Sequence, residues 1–237
     1  MNYFMQAVFY KEFNHYFTSL VGYVFLSIQF FICGVIFTSG NLLTQSGDIK
    51  SFFSAIFTVL VFLIPLLTMR QFSEEKKMKT HQLLFTLPLS TESIVLGKYL
   101  ATLTVAGIGL VATFIFPLIL AFFGAFEPLL TLGNYAGIAL LLSAVVALGL
   151  FLSSLSENQV ISAIISYAVI MFLWVFDSIA ALVLNDFLIG IVKIFSLRSN
   201  YTDFTYGIFN PAAIIFYLIV TALFLVFTVV VLDNRRQ

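Results

Sequence analysis

RQFSEEKKMKTHQLLFTLPLSTESIVLGKYLA, Arg70 to Ala101, holds five of the eleven lysines and arginines in the chain and is bracketed by long uncharged runs. A membrane accounts for that contrast. Of the 237 residues, 61% are hydrophobic and 9% are charged, with a mean hydropathy of +1.09, whereas soluble domains carry about 25% charged residues. The chain reads as a single integral membrane domain, residues 1–237, with the charged stretch lying outside the bilayer. The formal net charge is zero, so overall electrostatics do not point to nucleic acid as a partner. Cys33 is the single cysteine, which excludes an intramolecular disulfide and a cysteine metal site.

Crossing a bilayer takes about 20 mainly apolar residues, because each backbone polar group must be satisfied inside the segment. Six segments qualify: Phe17 to Phe37, Phe52 to Met69, Tyr99 to Phe123, Tyr135 to Leu155, Val160 to Phe176 and Pro211 to Leu232. Before the first, Phe9, Phe13, Tyr16 and Phe17 recur at helical spacing with Lys11, Glu12 and His15 between them. That pattern predicts an amphipathic helix over residues 1–16 lying in the interface. The apolar run that follows is too long, and the start too weakly basic, for a cleaved signal peptide. Six spans put both termini on one side. Lys11, Arg70, Lys76, Lys77, Lys79, Lys98, Arg235 and Arg236 fall on that side and only Lys50, Lys193 and Arg198 on the other, so the positive-inside rule makes the termini cytoplasmic.

Within residues 70–98, Ser73 is read as an N-cap with Glu74 and Glu75 in the first turn. Thr80, Leu83, Leu84 and Leu87 give one apolar face at i, i+3, i+4 and i+7. Pro88 ends this short helix, and Ser90 with Glu92 starts the next. From the pattern alone, an interfacial loop with leucines on lipid and lysines on phosphate is the leading reading. Ser156, Glu157, Asn158 and Gln159 form a tight turn after the fourth span, with the Ser-x-x-Gln spacing of a capping box. On the other side, residues 177–210 include "IAALVL" and "FLIGIVKIF", each too short to span and therefore read as re-entrant or interfacial. Gly107, Gly109, Ser143, Gly149, Ser153 and Ser162 are small residues suited to close helix packing.

The order Pro65, Thr68, Met69, Arg70, then Glu74, Glu75, Lys76, then Thr80, Leu83, Leu84, Pro88, then Gly97, Lys98 resembles the signature of ABC-2 type transporter permeases, above all the gliding-motility and nitrous-oxide-reductase-maturation branch. "SSLSENQV" and "SNYTDFTYGIFNPAAIIFYL" extend the resemblance over essentially the whole chain. Where the family has Gly-Thr and an acidic residue, this chain has Lys79, Thr80 and Gln82. The resemblance implies an all-α polytopic fold of six transmembrane helices with an N-terminal elbow helix, a cytoplasmic coupling helix and external re-entrant helices, in a bacterial plasma membrane. It implies docking of a separate ATPase subunit, in two copies, on Glu74, Glu75, Lys76, Thr80, Leu83, Leu84, Leu87, Pro88 and Ser156 to Gln159. It also implies a second permease chain, identical or different, with room for an accessory membrane or extracytoplasmic component. Phe187, Gly190, Phe204 and Gly207 are expected at an external gate. ATP and Mg would sit on the partner, and the cargo would be an amphiphile, a peptide or a polymer.

Other chemistry is missing from the sequence. It contains no Gly-x-x-x-x-Gly-Lys-Ser/Thr loop, so P-loop ATP binding must come from another polypeptide. His15 and His81 lie in different segments without metal-ligand spacing. Glu74-Glu75 lacks the intramembrane histidines of a paired-glutamate protease, so no enzyme is expected in this chain. The six assigned spans carry no Asp, Glu, Lys, Arg or His, which argues against an ion-coupled secondary transporter. A non-transport membrane anchor for a surface or maturation machine is the remaining alternative.

Overall fold

The computed structural model describes residues 3–78, 90–124, 127–180 and 196–236, and all regular structure among them is helical. In chain order the helices are α1 (Tyr3–Thr18), α2 (Val21–Phe37), α3 (Ile49–Thr68), α4 (Arg70–Lys77), α5 (Thr91–Ala112), α6 (Ile115–Phe122), α7 (Pro128–Leu155), α8 (Gln159–Ala180), α9 (Leu197–Thr205) and α10 (Pro211–Arg236). A π-turn, Thr38–Leu42, closes α2. Among the described residues, five stretches are long and apolar enough to cross a membrane: α2 with its π-turn, α3 with α4, α5 with α6, α7 and α10. The sixth predicted segment, Val160 to Phe176, lies within α8, whose stretch Gln159–Trp174 is apolar.

Local chemistry fixes most helix starts. The side chains of Asp48, Ser90, Asn158, Ser196 and Asn210 accept backbone amides from Lys50, Ser93, Val160, Ser199 and Ala212, at 2.8 to 3.3 Å. Each satisfies one of the donors left free in a first turn. Pro128 and Pro211 stand at the first helical position of α7 and α10, where a missing N–H costs nothing.

Three expectations are corrected. Ser73 caps nothing: α4 follows α3 with only Met69 between them, and the Ser73 hydroxyl lies inside α4, bonded back to the Met69 carbonyl. The capping box at Ser156 does not form either. Its hydroxyl takes the Asn158 amide at 3.2 Å, and Asn158, not Ser156, caps α8. The third predicted span is one apolar stretch but not one regular helix, because Pro117 has no N–H to give the Thr113 carbonyl. The ladder tightens there to Phe114 N to Val111 O and Phe116 N to Thr113 O, separating α5 from α6.

α7 is the hub. It contacts α3, α4, α5, α8, α9 and α10, and 72% of its most apolar window is buried, against 17% for α10 and 28% for α2. The outer helices therefore turn most of their apolar surface outward, as a lipid-facing shell requires. Gly149 lets α3 close on α7, since a Cβ there would lie 2.3 Å from Thr68 Oγ1. Gly109 does the same for Gln29 of α2, whereas Gly107, grouped with these by its sequence context, faces open space.

Gly149→Ala should push a methyl group into Thr68 and destabilise the purified protein by about 1–3 kcal/mol, the usual range for overpacking. Thermal unfolding in detergent measures it, and an unchanged midpoint would mean that α3 and α7 do not meet there.

Candidate functional site

Both chain ends, α4 and the α7–α8 turn gather at one end of the bundle, where Thr91 at the start of α5 donates to Asp233 near the end of α10. At this end α1 lies against α5 and turns Val8, Glu12 and Tyr16 inward. Its phenylalanines line one flank, with Phe9 stacked on Phe13 at 5.9 Å. The first span thus starts at Val21 and not at Phe17, after a left-handed Leu20 at φ 63°. Glu12, read from the sequence as part of the polar face, points into the protein.

Its partner is Lys98 of α5, whose side chain is 1% exposed. Lys98 Nζ lies 3.1 Å from Glu12 Oε1 and 2.9 Å from Glu75 Oε1, and donates to the Gln71 carbonyl at 2.9 Å. All three ammonium protons are therefore placed. Lys11 approaches the same two carboxylates at 3.3 and 3.4 Å, which completes a neutral quartet. Burial pushes the Glu12 carboxyl up, but the Lys98 and Lys11 ammoniums outweigh it and hold the group below its ordinary value of 4.5. One turn on, the Tyr16 hydroxyl donates to the Leu67 carbonyl at 3.1 Å, lies 2.9 Å from Thr102 Oγ1 and accepts from Gln71. One end of α1 is thereby tied to α3, α4 and α5 together. Between α1, α4 and α5 lies a cavity of ≈ 250 Å³ whose rim includes His15, Arg70 and Glu74.

α4 has no cap of its own. Instead Ser153 of α7 accepts the free amides of Phe72 and Ser73 at 3.2 and 3.4 Å and donates to the Met69 carbonyl at 3.1 Å. In return Lys76 donates to the Ser154 carbonyl at the end of α7, a helix terminus that favours a cation. Glu74 binds Arg70 in a two-pronged pair at 2.8 and 3.0 Å and takes the side chain of Gln159 at the start of α8. Of the expected docking residues, Glu75 and Lys76 are thus turned inward, while Glu157 and Asn158 are exposed. Thr80, Leu83, Leu84, Leu87 and Pro88 lie outside the described residues. Sequence reasoning missed Lys11, Glu12, Tyr16 and Gln71. The one available signal was the set of polar positions 8 residues or fewer apart on an otherwise greasy helix.

At the opposite end, α9 is seated on the first turns of α7. Tyr201 donates to Asn134 Oδ1 at 2.8 Å and stacks on Phe57 with ring centres 4.8 Å apart. Phe204 is fully buried over Gly137, where a Cβ would come within 2.7 Å of it. Gly207 adopts φ 72° and lies so close to Gly133 that a Cβ on the latter would be 2.8 Å from Gly207 Cα, an approach that only glycines permit. Phe187 and Gly190, the other expected gate residues, are outside the described residues. Among the described residues, no group of His, Cys, Asp and Glu could hold a metal ion.

Lys98→Met should leave Glu12 and Glu75 buried with only the peripheral Lys11. The expected loss is about 3 kcal/mol, near the low end for a broken buried pair because Glu75 is partly exposed. The unfolding midpoint in detergent measures it, and adding Glu12→Gln and Glu75→Gln should restore most of the loss. Because the folded Glu12 carboxyl lies below 4.5, its contribution is complete above that pH and fades as the pH falls through the lower folded value. Glu12→Gln should remove this acid-dependent branch, and an identical acid profile in the variant would refute the assignment.

A search of curated proteins finds no match to this chain. Residues 19–232 match the model of the family described as ABC-2 family transporter protein. The match begins just after α1 and runs almost to the end of α10, taking in the hub, α4 and the seated α9. The chain is a multi-pass membrane protein belonging to the ABC-2 family, the permease component of an ABC transporter.

Proposed function

We propose that this permease is half of an exporter in a bacterial plasma membrane, with six spans, both termini in the cytoplasm, and an elbow helix formed by α1. It pairs with a second permease chain, the same or different, and is driven by two copies of a separate ATPase that carry the ATP and Mg. Within the ABC-2 family, its motif order favours the gliding-motility and nitrous-oxide-reductase-maturation branch, with an amphiphile, peptide or polymer as cargo. An additional membrane or extracytoplasmic component is compatible with this assembly.

One observation carries the reading. Lys76 and Gln159 fasten α4 and the start of α8 to the end of the hub helix. α4, with residues 79–89 next to it in the sequence after Met78, is therefore coupled stiffly to α7. Pressure applied by an ATPase at Thr80 to Pro88 and at the exposed Glu157–Asn158 turn would reach the hub directly, and an alternation between two packings of α7 would follow. Phe204 and Gly207, with Phe187 and Gly190, close the outer side in this scheme. The lysine and arginine distribution supports the cytoplasmic assignment of the α4 end.

Two experiments test the scheme. The sole native cysteine, Cys33, is buried, so introduced cysteines can be labelled against a low background. Met78→Cys, at a residue 67% exposed, should react in intact cells only with membrane-permeant thiol reagents. Thr44→Cys, in the α2–α3 connection, should react with impermeant ones. The reverse pattern would invert the orientation. Leu84→Asp, made in a chain co-expressed with its ATPase partner, should weaken co-purification of that ATPase by about a hundredfold in apparent Kd. This corresponds to about 3 kcal/mol for a carboxylate buried without a partner. Undiminished recovery and ATP turnover would favour a leucine face resting on lipid.

A further inference from the structure

Arg198 sits in the first turn of α9. Sequence reading leaves it in an external connection, yet α9 dips into the bundle. The Leu197 carbonyl accepts from Tyr217 at 2.7 Å, and Tyr217 lies six residues, about 9 Å, along α10 from its outer end at Pro211. Arg198 lines an almost wholly apolar crevice with Val61 of α3, Leu148 of α7, and Ile170, Leu173 and Trp174 of α8.

The helix rise sets the depth of this crevice. Val61 and Leu148 lie seven residues, about 10 Å, from the inner ends of α3 and α7, and Trp174 lies fifteen residues, about 22 Å, from the start of α8. The hydrocarbon core is about 30 Å thick, so the crevice brackets its middle. Arg198 borders this apolar region from the outer side, and a cation beside hydrocarbon is retained where it meets a counter-charge or a path. No acidic side chain among the described residues forms an ion pair with Arg198, and its side chain is exposed at the mouth of the crevice.

We infer that this crevice binds one acyl amphiphile with an anionic headgroup, its charge on the Arg198 guanidinium and its chain between α3, α7 and α8. Two features select that ligand. The guanidinium fork matches phosphate and carboxylate oxygens. The remaining walls are almost wholly apolar. The site is lined by a single chain and does not depend on whether the transporter exports this ligand.

Trp174 is the only tryptophan and lines the crevice, so it reports occupancy without a label. The full chain is reconstituted in nanodiscs of phosphatidylcholine containing increasing mole fractions of either mid-chain-brominated phosphatidylglycerol or mid-chain-brominated phosphatidylcholine, and Trp174 fluorescence is followed. Half-maximal quenching should need about fivefold less of the anionic lipid, the preference expected for one basic side chain near an anionic headgroup. Arg198→Gln should bring the two curves together, while Arg198→Lys should keep them apart. Equal quenching of the wild-type protein by both lipids overturns the site, as does a preference that survives in Arg198→Gln. Fluorescence that no brominated chain quenches also overturns it, and would mean that protein, such as a second copy of this chain, covers the crevice.

Discussion

A lysine ammonium with almost no access to solvent, placed between two carboxylates from different helices, is the constraint on which the α4 end of this permease depends. Lys98 cannot stay charged in that position unless both Glu12 and Glu75 come to it. Desolvating an ion costs several kcal/mol, so a buried pair is weak evidence of stability but strong evidence of geometry. Here it sets where α1 lies, how α4 leaves α3, and how far α5 extends beyond its apolar stretch. Lys11 closes the quartet from the rim, which leaves no net charge to repel or recruit. Tyr16 repeats the same three-way junction one turn on, with hydroxyl contacts in place of charges.

Polar groups recur at several junctions between helices, and some are satisfied by an element remote in sequence. Ser153 supplies the cap that α4 lacks, Lys76 caps the carbonyl end of α7, and Ser143 meets Thr221 at 3.1 Å between α7 and α10. In lipid, apolar contact between helices has little driving force of its own. Close approach at Gly137 and Gly149, together with these few hydrogen bonds, must therefore carry much of the specificity of the packing.

The sequence was most legible where the chemistry is local. The apolar lengths located the helices, and Ser90 with Glu92 marked the start of α5, because a cap and its helix lie within four residues of each other. Ser73 followed by two glutamates carries the same signature and misleads: the α3 ladder nearly reaches it, and Ser153, some eighty residues away, takes the amides that a cap would have taken. The break at Thr113 was available in principle, since Pro117 removes one specific ladder bond, but a greasy proline inside a long apolar run is easily passed over. Glu12 was misplaced because a charged side chain in an amphipathic segment is assigned to water unless its partner is known, and that is a tertiary fact.

The seat of α9 also bears on how motion could cross the molecule. α7 spans 28 residues with proline only at its start, about 42 Å from end to end. Its inner end is clamped to α4 by Ser153 and Lys76, and its outer turns hold Tyr201, Phe204 and Gly207 without intervening space. Such a helix acts as a connecting rod with no slack at either bearing. In the proposed scheme, a tilt imposed at one end would reach the other with the amplitude set by lever geometry alone, and the proposed gate would need no sensor or hinge of its own.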